Sequence, residues 1–368
     1  MSSRARVLVL NAALGPLDYR VPASMAVEPG SIVIAPLGPR QLLGVVWEPE
    51  RLPSDVEVGD NRLRPLLGLV DVPPLAAPLR RLIEWTAAYY LAPPASVVRM
   101  ALASTSALEG ARTVTEYRVT GHIPPRLTPQ REQALDRIGD RQGLIRELAA
   151  IADVSDAVIR GLVKTGAIEA VEVDIDSPFP HPDPAHGPPT LAGEQQAAAD
   201  ILVADVAAHR FAPTLLDGVT GSGKTEVYFE AVAEAIRTGR QTLVLLPEIA
   251  LTEPFLKRFH DRFGCEPVAW HSGLRSTQRR RAWRAIAGGE ALVTVGARSA
   301  LFLPYRNLGL IVVDEAHETS FKQEEGVHYH ARDVAVMRGK FEACPVILAA
   351  PPRRSRRVSR SHSAAMPS

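Results

Sequence analysis

The stretch LLDGVTGSGKTEVYFEA, residues 215–231, decides the fold of the C-terminal half of this chain. An apolar strand runs into a glycine-rich turn, and a helix follows, which is the context that a phosphate-binding P-loop requires. The glycines let backbone N–H groups face phosphate oxygens, and the helix N-terminus adds partial positive charge. A plain glycine-rich turn is the alternative, but motif and context together favour nucleotide binding. The expected cradle residues are Gly218, Gly221, Ser222, Gly223, Lys224 and Thr225.

A second motif, LIVVDEAH at 310–317, has the residue types that complete such a site. Asp314 follows a buried strand and, together with the Thr225 hydroxyl, is the predicted ligand of Mg²⁺. Glu315 is the predicted base that polarises the attacking water, and Lys224 is expected to reach the β- and γ-phosphates. An acidic pair that only caps a helix is the alternative, which the upstream P-loop makes weak.

Apolar, β-branched segments alternate with helical ones from residue 191 onwards, and this alternation predicts a parallel sheet covered on both faces. The predicted strands lie in TLLDG, QTLVLLP, EPVAW, ALVTV, LGLIVVD and PVILAA. We therefore expect a multidomain α/β protein whose residues 191–350 form one RecA-like P-loop lobe.

The sequence before residue 191 divides into three predicted parts. Residues 1–110 contain short alternating strands closed by a helix, and 111–176 read as helix, turn, helix and strand, which is typical of a winged helix. Residues 177–190 contain six prolines and predict a linker. At the other end, 351–368 is a low-complexity basic tail.

Bulk composition excludes several classes of protein. The chain has 368 residues, 46% of them hydrophobic and 23% charged, which is typical of a globular protein and not of a disordered one. The net charge is +1, and five arginines lie in the tail, so the other 350 residues sum to −4 and any DNA contact must come from local patches. Two cysteines, Cys265 and Cys344, cannot form a four-cysteine metal site and fit a reducing cytoplasm. No apolar stretch is long enough to span a bilayer.

Further candidate residues lie around these motifs. Gln195 is a candidate for adenine recognition, although a solvent-facing glutamine is the open alternative. Loops 245–252 and 295–302 follow strands and offer phosphate contacts, whereas 318–333 is rich in polar and aromatic groups that suit base stacking. The predicted DNA-contacting residues are Thr252, Arg298 and Ser299 in the first two loops, and Phe321, Lys322, Tyr329 and Arg332 in the third.

These motifs together resemble the bacterial primosomal replication-restart helicase family, that of primosomal protein N-prime, in helicase superfamily two. The resemblance is carried, in order, by GVTGSGKTEVYFEA, LVLLPEIALT, HSG, VGARSALFLP, IVVDEAH and SFKQEEGVHYHARDVAVMR. The last segment is the most discriminating, because generic P-loop proteins lack it. PLDYRVP and PLGPRQLLGVVWE extend the match towards the N-terminus. Family members commonly have Asp-Glu-Glu-His where this chain has Ala316 within Asp-Glu-Ala-His.

The resemblance implies an ATP- and Mg²⁺-dependent DNA helicase that moves 3′ to 5′ and assembles a primosome at stalled forks. It implies that Asp18, Gly38 and Arg64 help to form a pocket for a 3′ end, and that loop 318–333 couples DNA contact to ATP hydrolysis. By family, the expected partners are forked and single-stranded DNA, single-stranded-DNA-binding protein and other primosome proteins, in the cytoplasm and without a membrane. Zinc is expected for the family, but its cysteine ligands are absent from this chain.

The end of the chain departs from the family pattern, because the low-complexity segment 351–368 stands where the resemblance implies a second lobe. From this we expect a truncated or frameshifted product with the DNA-binding half and one motor lobe. A non-enzymatic fork-binding fragment is therefore the alternative function. A P-loop kinase or a transporter ATPase is disfavoured, because neither accounts for VGARSALF or for loop 318–333.

Overall fold

The structure is a computed structural model, and each part of it is described only where its residues are placed. The described residues are 3–47, 59, 62–103, 108, 113–122, 124, 127–174, 178–219, 221–247 and 253–352. They fall into two compact units, one formed by Met1–Glu109 together with Phe179–Ser368 and the other by Gly110–Pro178.

The N-terminal segment of the first unit forms an antiparallel sheet of five strands in the order β2-β1-β4-β3-β5. Leu37 pairs with Arg40 across a two-residue turn, and Gly38 takes a φ of +59° there, in the region that favours glycine. Two helices follow the sheet, and each has a proline in its first turn. The elements are β1 (Ser3–Val9), β2 (Leu17–Val21), β3 (Ile32–Leu37), β4 (Arg40–Val46), β5 (Gly68–Leu69), α1 (Ala77–Tyr89) and α2 (Pro94–Leu102).

The unit Gly110–Pro178 consists of three helices and a two-stranded antiparallel sheet. Its own apolar core includes Leu148, Ile159 and Leu162. Helix α5 begins after Ser155, and Gly166, with a φ of +76°, lies just before the last strand. The elements are β6 (Thr113–Val119), α3 (Pro129–Ile138), α4 (Ile145–Ala152), α5 (Asp156–Lys164) and β7 (Ile168–Asp174). Elements α4, α5 and β7 follow the predicted order of helix, turn, helix and strand, and β6 and α3 precede them.

The C-terminal segment contains a six-stranded sheet in the order β10-β11-β9-β12-β15-β8, and every neighbouring pair is parallel. All six predicted strands are present, so the expected α/β fold with a parallel sheet is confirmed. The strands are β8 (Pro213–Asp217), β9 (Gln241–Leu245), β10 (Val268–Trp270), β11 (Val293–Gly296), β12 (Leu308–Val313) and β15 (Val346–Ala350).

Both faces of this sheet are covered. One core joins alternate strand residues such as Val244 and Val312 to α6, α7 and α8, and the other joins Leu245 and Val313 to α9 and α10. The second core continues into α1 and α2, so the N-terminal helices and the lobe share one apolar interior. The helices are α6 (Gly193–Ala207), α7 (Lys224–Arg237), α8 (Glu253–Phe263), α9 (Ser276–Gly288) and α10 (Ala331–Glu342).

Two connections carry more structure than their composition predicts. Residues 318–333 contain a short antiparallel hairpin of β13 (Lys322–Gln323) and β14 (Tyr329–His330). The proline-rich segment contacts the end of α8, where buried Arg262 donates to the carbonyls of Pro184, at 3.0 Å, and His186, at 2.7 Å. In the part of the chain that the structure describes, none of the helices is long and apolar enough to cross a membrane.

Candidate functional site

The glycine-rich turn lies between β8 and α7, at the carboxyl edge of the parallel sheet. Gly221 and Gly223 both have a φ of +80°, a backbone region that costs side chains with a Cβ considerable strain. Lys224 begins α7, and its Nζ donates to the carbonyls of Gly218, at 2.7 Å, and Val219, at 3.1 Å. The ammonium group is therefore held inside the turn, where phosphate oxygens would replace the carbonyls as partners. Thr220 lies outside the described residues.

Asp314 lies at the end of β12, the central strand next to β9. Its Oδ2 accepts a hydrogen bond from the Tyr228 hydroxyl, at 2.9 Å, and its Oδ1 accepts one from the Glu315 N–H, at 2.9 Å. Glu315 has a φ of +48°, an uncommon conformation for a residue with a side chain. The His317 Nδ1 lies 3.4 Å from the Glu315 Oε2, so the imidazole and the carboxylate are near neighbours.

One cavity of about 720 Å³ brings the two motifs together. Lys224, Thr225, Asp314 and Glu315 all line it, as the sequence predicted for a shared site, and so does Gln195. The lining residues that the sequence reasoning missed include Leu246, Phe255 and Arg258. Phe255 and Arg258 lie three residues apart on α8, so their spacing and their position after β9 were signals that could have found them.

The Arg258 guanidinium lies beside the predicted metal ligand. Its Nη1 is 3.3 Å from the Thr225 Oγ1, and its Nε is 3.6 Å from a carboxylate oxygen of Glu226. The described lining residues of the cavity thus include two cationic side chains, Lys224 and Arg258, beside the carboxylates of Glu226, Asp314 and Glu315. This mixture suits an anionic ligand that binds together with a cation.

The residues that would hold Mg²⁺ offer hard oxygen donors, as that ion prefers. The Tyr228 hydroxyl donates to the Asp314 carboxylate, and the hydroxyl of Thr225 and this carboxylate both line the cavity. Burial, and next the nearby Asp314 charge, raise the pKa of Tyr228 well above its ordinary value, so this hydroxyl is a donor. Among the described residues there is no group of three or more His, Cys, Asp or Glu side chains that could hold an ion. The donor set fits an ion that binds together with nucleotide phosphates.

Gln195 is placed against the phosphate turn. Its Nε2 donates to the Ser222 carbonyl, at 2.8 Å, and its Oε1 accepts from the Ala192 N–H, at 2.8 Å. A Cβ on Gly223 would collide with this amide, at 2.5 Å from Nε2. The amide therefore connects α6 to the P-loop, which differs from the solvent-facing alternative, and the predicted adenine contact stays a prediction.

The residues predicted for a 3′ end lie near the β3–β4 turn. Arg64 donates to the Gly38 carbonyl, at 2.9 Å, and Gly38 has open space around the position of a Cβ. Asp18 on β2 lies opposite Arg6 on β1 in the strand register. Its Oδ1 is buried without a hydrogen-bond partner among the described residues. An acceptor of this kind is suited to a hydroxyl donor.

The predicted phosphate contacts of the strand-end loops have protein partners in this structure. Arg298 donates to the carbonyls of Ser320, at 2.9 Å, and Lys322, at 2.5 Å, and so supports loop 318–333. The Ser299 Oγ accepts from the Trp270 Nε1, at 3.1 Å. Both residues line a second cavity of about 470 Å³. The sequence reasoning missed His271 and Arg279, which also line it. Thr252 lies outside the described residues.

Loop 318–333 differs from its predicted arrangement at the aromatic rings. Phe321 and Tyr329 are 0% and 3% exposed, and Tyr329 packs edge-on against Phe302. The rings are therefore core residues here, not stacking surfaces, because an apolar ring gains more from burial than from exposure beside polar neighbours. Lys322 is exposed and pairs with Glu324, at 2.7 Å, whereas Arg332 lies 3.6 Å from Asp333.

The hairpin in this loop also contacts the N-terminal helices. The His330 N–H donates to the Tyr90 hydroxyl, at 3.2 Å, just after the end of α1. Burial lowers the pKa of His330, whose Nδ1 accepts from the Arg332 N–H. The loop predicted to couple DNA contact to hydrolysis thus touches the segment that carries the predicted 3′-end residues.

Two family models match this chain. Residues 6–103 match a 3′ DNA-binding domain, and residues 194–357 match the DEAD/DEAH box helicase model. The first match contains Asp18, Gly38 and Arg64, and the second contains the cavity that joins Lys224 to Asp314.

Curated relatives carry one recurring name, replication restart protein PriA. The relative from Rickettsia felis is 32% identical over 94% of this chain and 42% of its own length, and that from Chlamydia pneumoniae is 34% identical over 90% and 46%. The relative from Haemophilus influenzae is 32% identical over 87% of this chain and 45% of its own length. The chain therefore spans somewhat less than half the length of these relatives.

Solved structures of the DUF1998 helicase MrfA resemble the chain only distantly. The DNA-bound structure gives a TM-score of 0.33 at 15% identity and covers 67% of this chain and 28% of MrfA, a likeness too slight to bear on the site.

Proposed function

Because this chain belongs to the family of the replication restart protein PriA, we propose that it binds ATP with Mg²⁺ in its P-loop lobe and forked DNA through its N-terminal segment. The activity proposed for the whole protein is ATP-driven 3′ to 5′ movement on DNA at stalled forks. Single-stranded-DNA-binding protein and other primosome proteins are the proposed partners, and the cytoplasm is the proposed location.

The observation that carries the nucleotide part is the single cavity shared by Lys224, Thr225, Asp314 and Glu315. Hydrolysis requires water to attack the γ-phosphorus, so that a new P–O bond forms as the bond to ADP breaks. Glu315 is the group proposed to take the proton of that water, and Lys224 would stabilise charge on the phosphates. Thr225 and Asp314 would hold Mg²⁺, which when bound would neutralise charge that develops on the phosphates.

A second candidate, fork binding without turnover, has one observation in its favour. Both cationic side chains among the described cavity residues, Lys224 and Arg258, belong to the lobe that carries the P-loop. Enzymes of this kind add an arginine from another part of the assembly, worth about 10³ to 10⁵ in rate. DNA-stimulated ATP turnover would favour the helicase, and fork binding without turnover would favour this alternative.

The proposed binding of a DNA 3′ end is supported by the environment of Asp18. Its Oδ1, which has no hydrogen-bond partner in the part of the chain that the structure describes, would accept a hydrogen bond from a 3′-hydroxyl, whereas the same carboxylate would repel a 3′-phosphate. The Gly38–Arg64 contact gives the neighbouring turn a defined shape.

The experiment is a binding titration of the full chain with forks whose leading strand ends in a 3′-hydroxyl or a 3′-phosphate. We expect the phosphate to weaken binding by on the order of tenfold, and Asp18→Asn, which removes the charge but keeps an acceptor oxygen, to reduce that difference. Asp71→Asn, which changes an exposed carboxylate of the same segment, is the matched control and should keep the difference. Equal binding of both ends by the unsubstituted chain would contradict the assignment.

A further inference from the structure

Tyr228 lies on the same face of α7 as the residues that begin it, because it follows Thr225 by three positions and Lys224 by four. The side chain is fully buried, and its ring meets Phe229 edge-on at 5.3 Å. Its hydroxyl donates to the Asp314 Oδ2 at 2.9 Å.

The hydrogen bonds to Asp314 fix the carboxylate at both of its oxygens. Tyr228 donates to Oδ2 from α7, and the Glu315 N–H donates to Oδ1 from the turn after β12. A carboxylate held in this way cannot rotate freely about its Cβ–Cγ bond. Each oxygen still keeps a lone pair, so one of them can coordinate an ion without reorienting.

We propose that Tyr228 is a positioning residue for the metal: it orients Asp314 so that the carboxylate binds Mg²⁺ in the nucleotide complex. The inference rests on the proposed function, because it requires the cavity to hold a nucleotide. Tyr228 does not line the cavity, so it would act through Asp314. Outer hydrogen bonds of this kind commonly tune metal affinity by 10- to 100-fold.

A purely structural role makes a different prediction. If the hydroxyl served only to satisfy a buried carboxylate, its removal would lower stability and would affect nucleotide binding equally with and without metal. If it positions Asp314, nucleotide affinity without metal should be unchanged, and the gain in affinity that Mg²⁺ provides should shrink.

The test is a titration of the full chain with a fluorescent, non-hydrolysable ATP analogue, in excess EDTA and in saturating Mg²⁺. For Tyr228→Phe we expect affinity in EDTA within about twofold of the unsubstituted chain, and a Mg²⁺-dependent gain reduced about five- to tenfold. Tyr305→Phe is the matched control, because it removes a buried phenol of the same lobe that contacts neither Asp314 nor Thr225. This control should keep the full gain.

A second measurement does not depend on the folding of a variant. The seven tyrosines of the chain can be replaced by 3-fluorotyrosine and followed by ¹⁹F NMR. Adding Mg²⁺ to the analogue complex should shift the resonance of Tyr228 and leave that of Tyr305 in place.

The possible outcomes distinguish a failure of the proposed function from a failure of the positioning role. No nucleotide binding by the unsubstituted chain in either condition would refute the proposed function itself. Normal binding with the same Mg²⁺-dependent gain in Tyr228→Phe, a parallel loss in EDTA and Mg²⁺, or an unmoved Tyr228 resonance would overturn only the positioning role.

Discussion

At the residue scale, the P-loop lysine already has partners that imitate its ligand. Two carbonyl oxygens, those of Gly218 and Val219, lie around the Lys224 ammonium group. Phosphate oxygens carry more charge than carbonyls, and charge-assisted hydrogen bonds are the stronger kind. Exchanging the carbonyls for phosphates therefore favours the nucleotide complex.

The variant Lys224→Ala should lose most nucleotide affinity, because one charge-assisted contact contributes roughly 1.5 to 3 kcal/mol. Fork-DNA affinity should be unchanged, since the predicted DNA contacts lie on other segments. A titration with an ATP analogue measures the first effect, and fork binding measures the second. Lys257→Ala removes an exposed lysine of α8 that pairs with Asp261, and it is expected to bind both ligands normally. Equal analogue affinity in Lys224→Ala would refute the P-loop assignment.

Candidate residues of the nucleotide site could be predicted where a short sequence motif contains them, as with Lys224, Asp314 and Glu315. Their contacts were not, because each depends on a distant part of the chain. Tyr228 meets Asp314 across 86 positions, and Gln195 meets Ser222 across 27. Composition also gave the wrong exposure for Phe321, since a polar segment can still turn single rings inward.

At the scale of elements, helix α10 packs closely on the last strand of the sheet. Gly339 makes this approach possible, because a Cβ there would collide with Val346 and come within 3.1 Å of the Cys344 carbonyl. Burial, and to a lesser extent the nearby charge of Glu342, raise the pKa of Cys344 to about 12. This shift agrees with a thiol that the contact encloses.

The substitution Gly339→Ala should destabilise the protein although it improves helix propensity. Overpacking costs typically 1 to 3 kcal/mol, whereas the gain in propensity is about 1 kcal/mol, so we expect a net loss of about 1 kcal/mol, the middle of the resulting range. Denaturant unfolding measures this difference. Gly193→Ala, at the first residue of α6 with nothing within 4 Å of its added Cβ, is the control and should be neutral or slightly stabilising. An unchanged or raised midpoint for Gly339→Ala would contradict the packing argument.

The elements of the parallel sheet were predictable because its strands are apolar runs buried on both faces. The docked proline-rich segment was not, because prolines predict a spacer unless a specific donor meets their carbonyls. Arg262 is that donor, and nothing in its local sequence shows that it points towards Pro184.

At the scale of the whole molecule, one compact unit is assembled from two separated segments of chain. Helices α1 and α2 share a core with the lobe, and the buried Trp283 Nε1 donates to the Ala101 carbonyl at 2.8 Å. The predicted boundaries at 110, 176 and 190 stay predictions. The shared core nevertheless implies that residues 1–109 and 179–368 depend on each other.

A fragment of residues 179–368 expressed alone should therefore expose the apolar face that α1 and α2 cover. We expect it to bind a hydrophobic dye and to aggregate, and co-expression with residues 1–109 to restore a soluble complex. Residues 110–178, which have their own core, serve as the control and should not restore it. Size-exclusion chromatography measures the outcome. A monomeric, dye-negative fragment would show that the shared core is not required.

The shared core also sets an order of events during synthesis. The hydrogen bond between the Tyr90 hydroxyl and the His330 N–H cannot form until His330 has left the ribosome, 240 residues after Tyr90. At about 5 to 20 residues per second, that interval is roughly 12 to 48 s. For this time the apolar sides of α1 and α2 emerge without their partner, while residues 110–178 can already fold locally. The apolar sides of α1 and α2 therefore stay exposed on the nascent chain between the synthesis of Tyr90 and that of His330. A chaperone would have its longest opportunity to bind them during this interval.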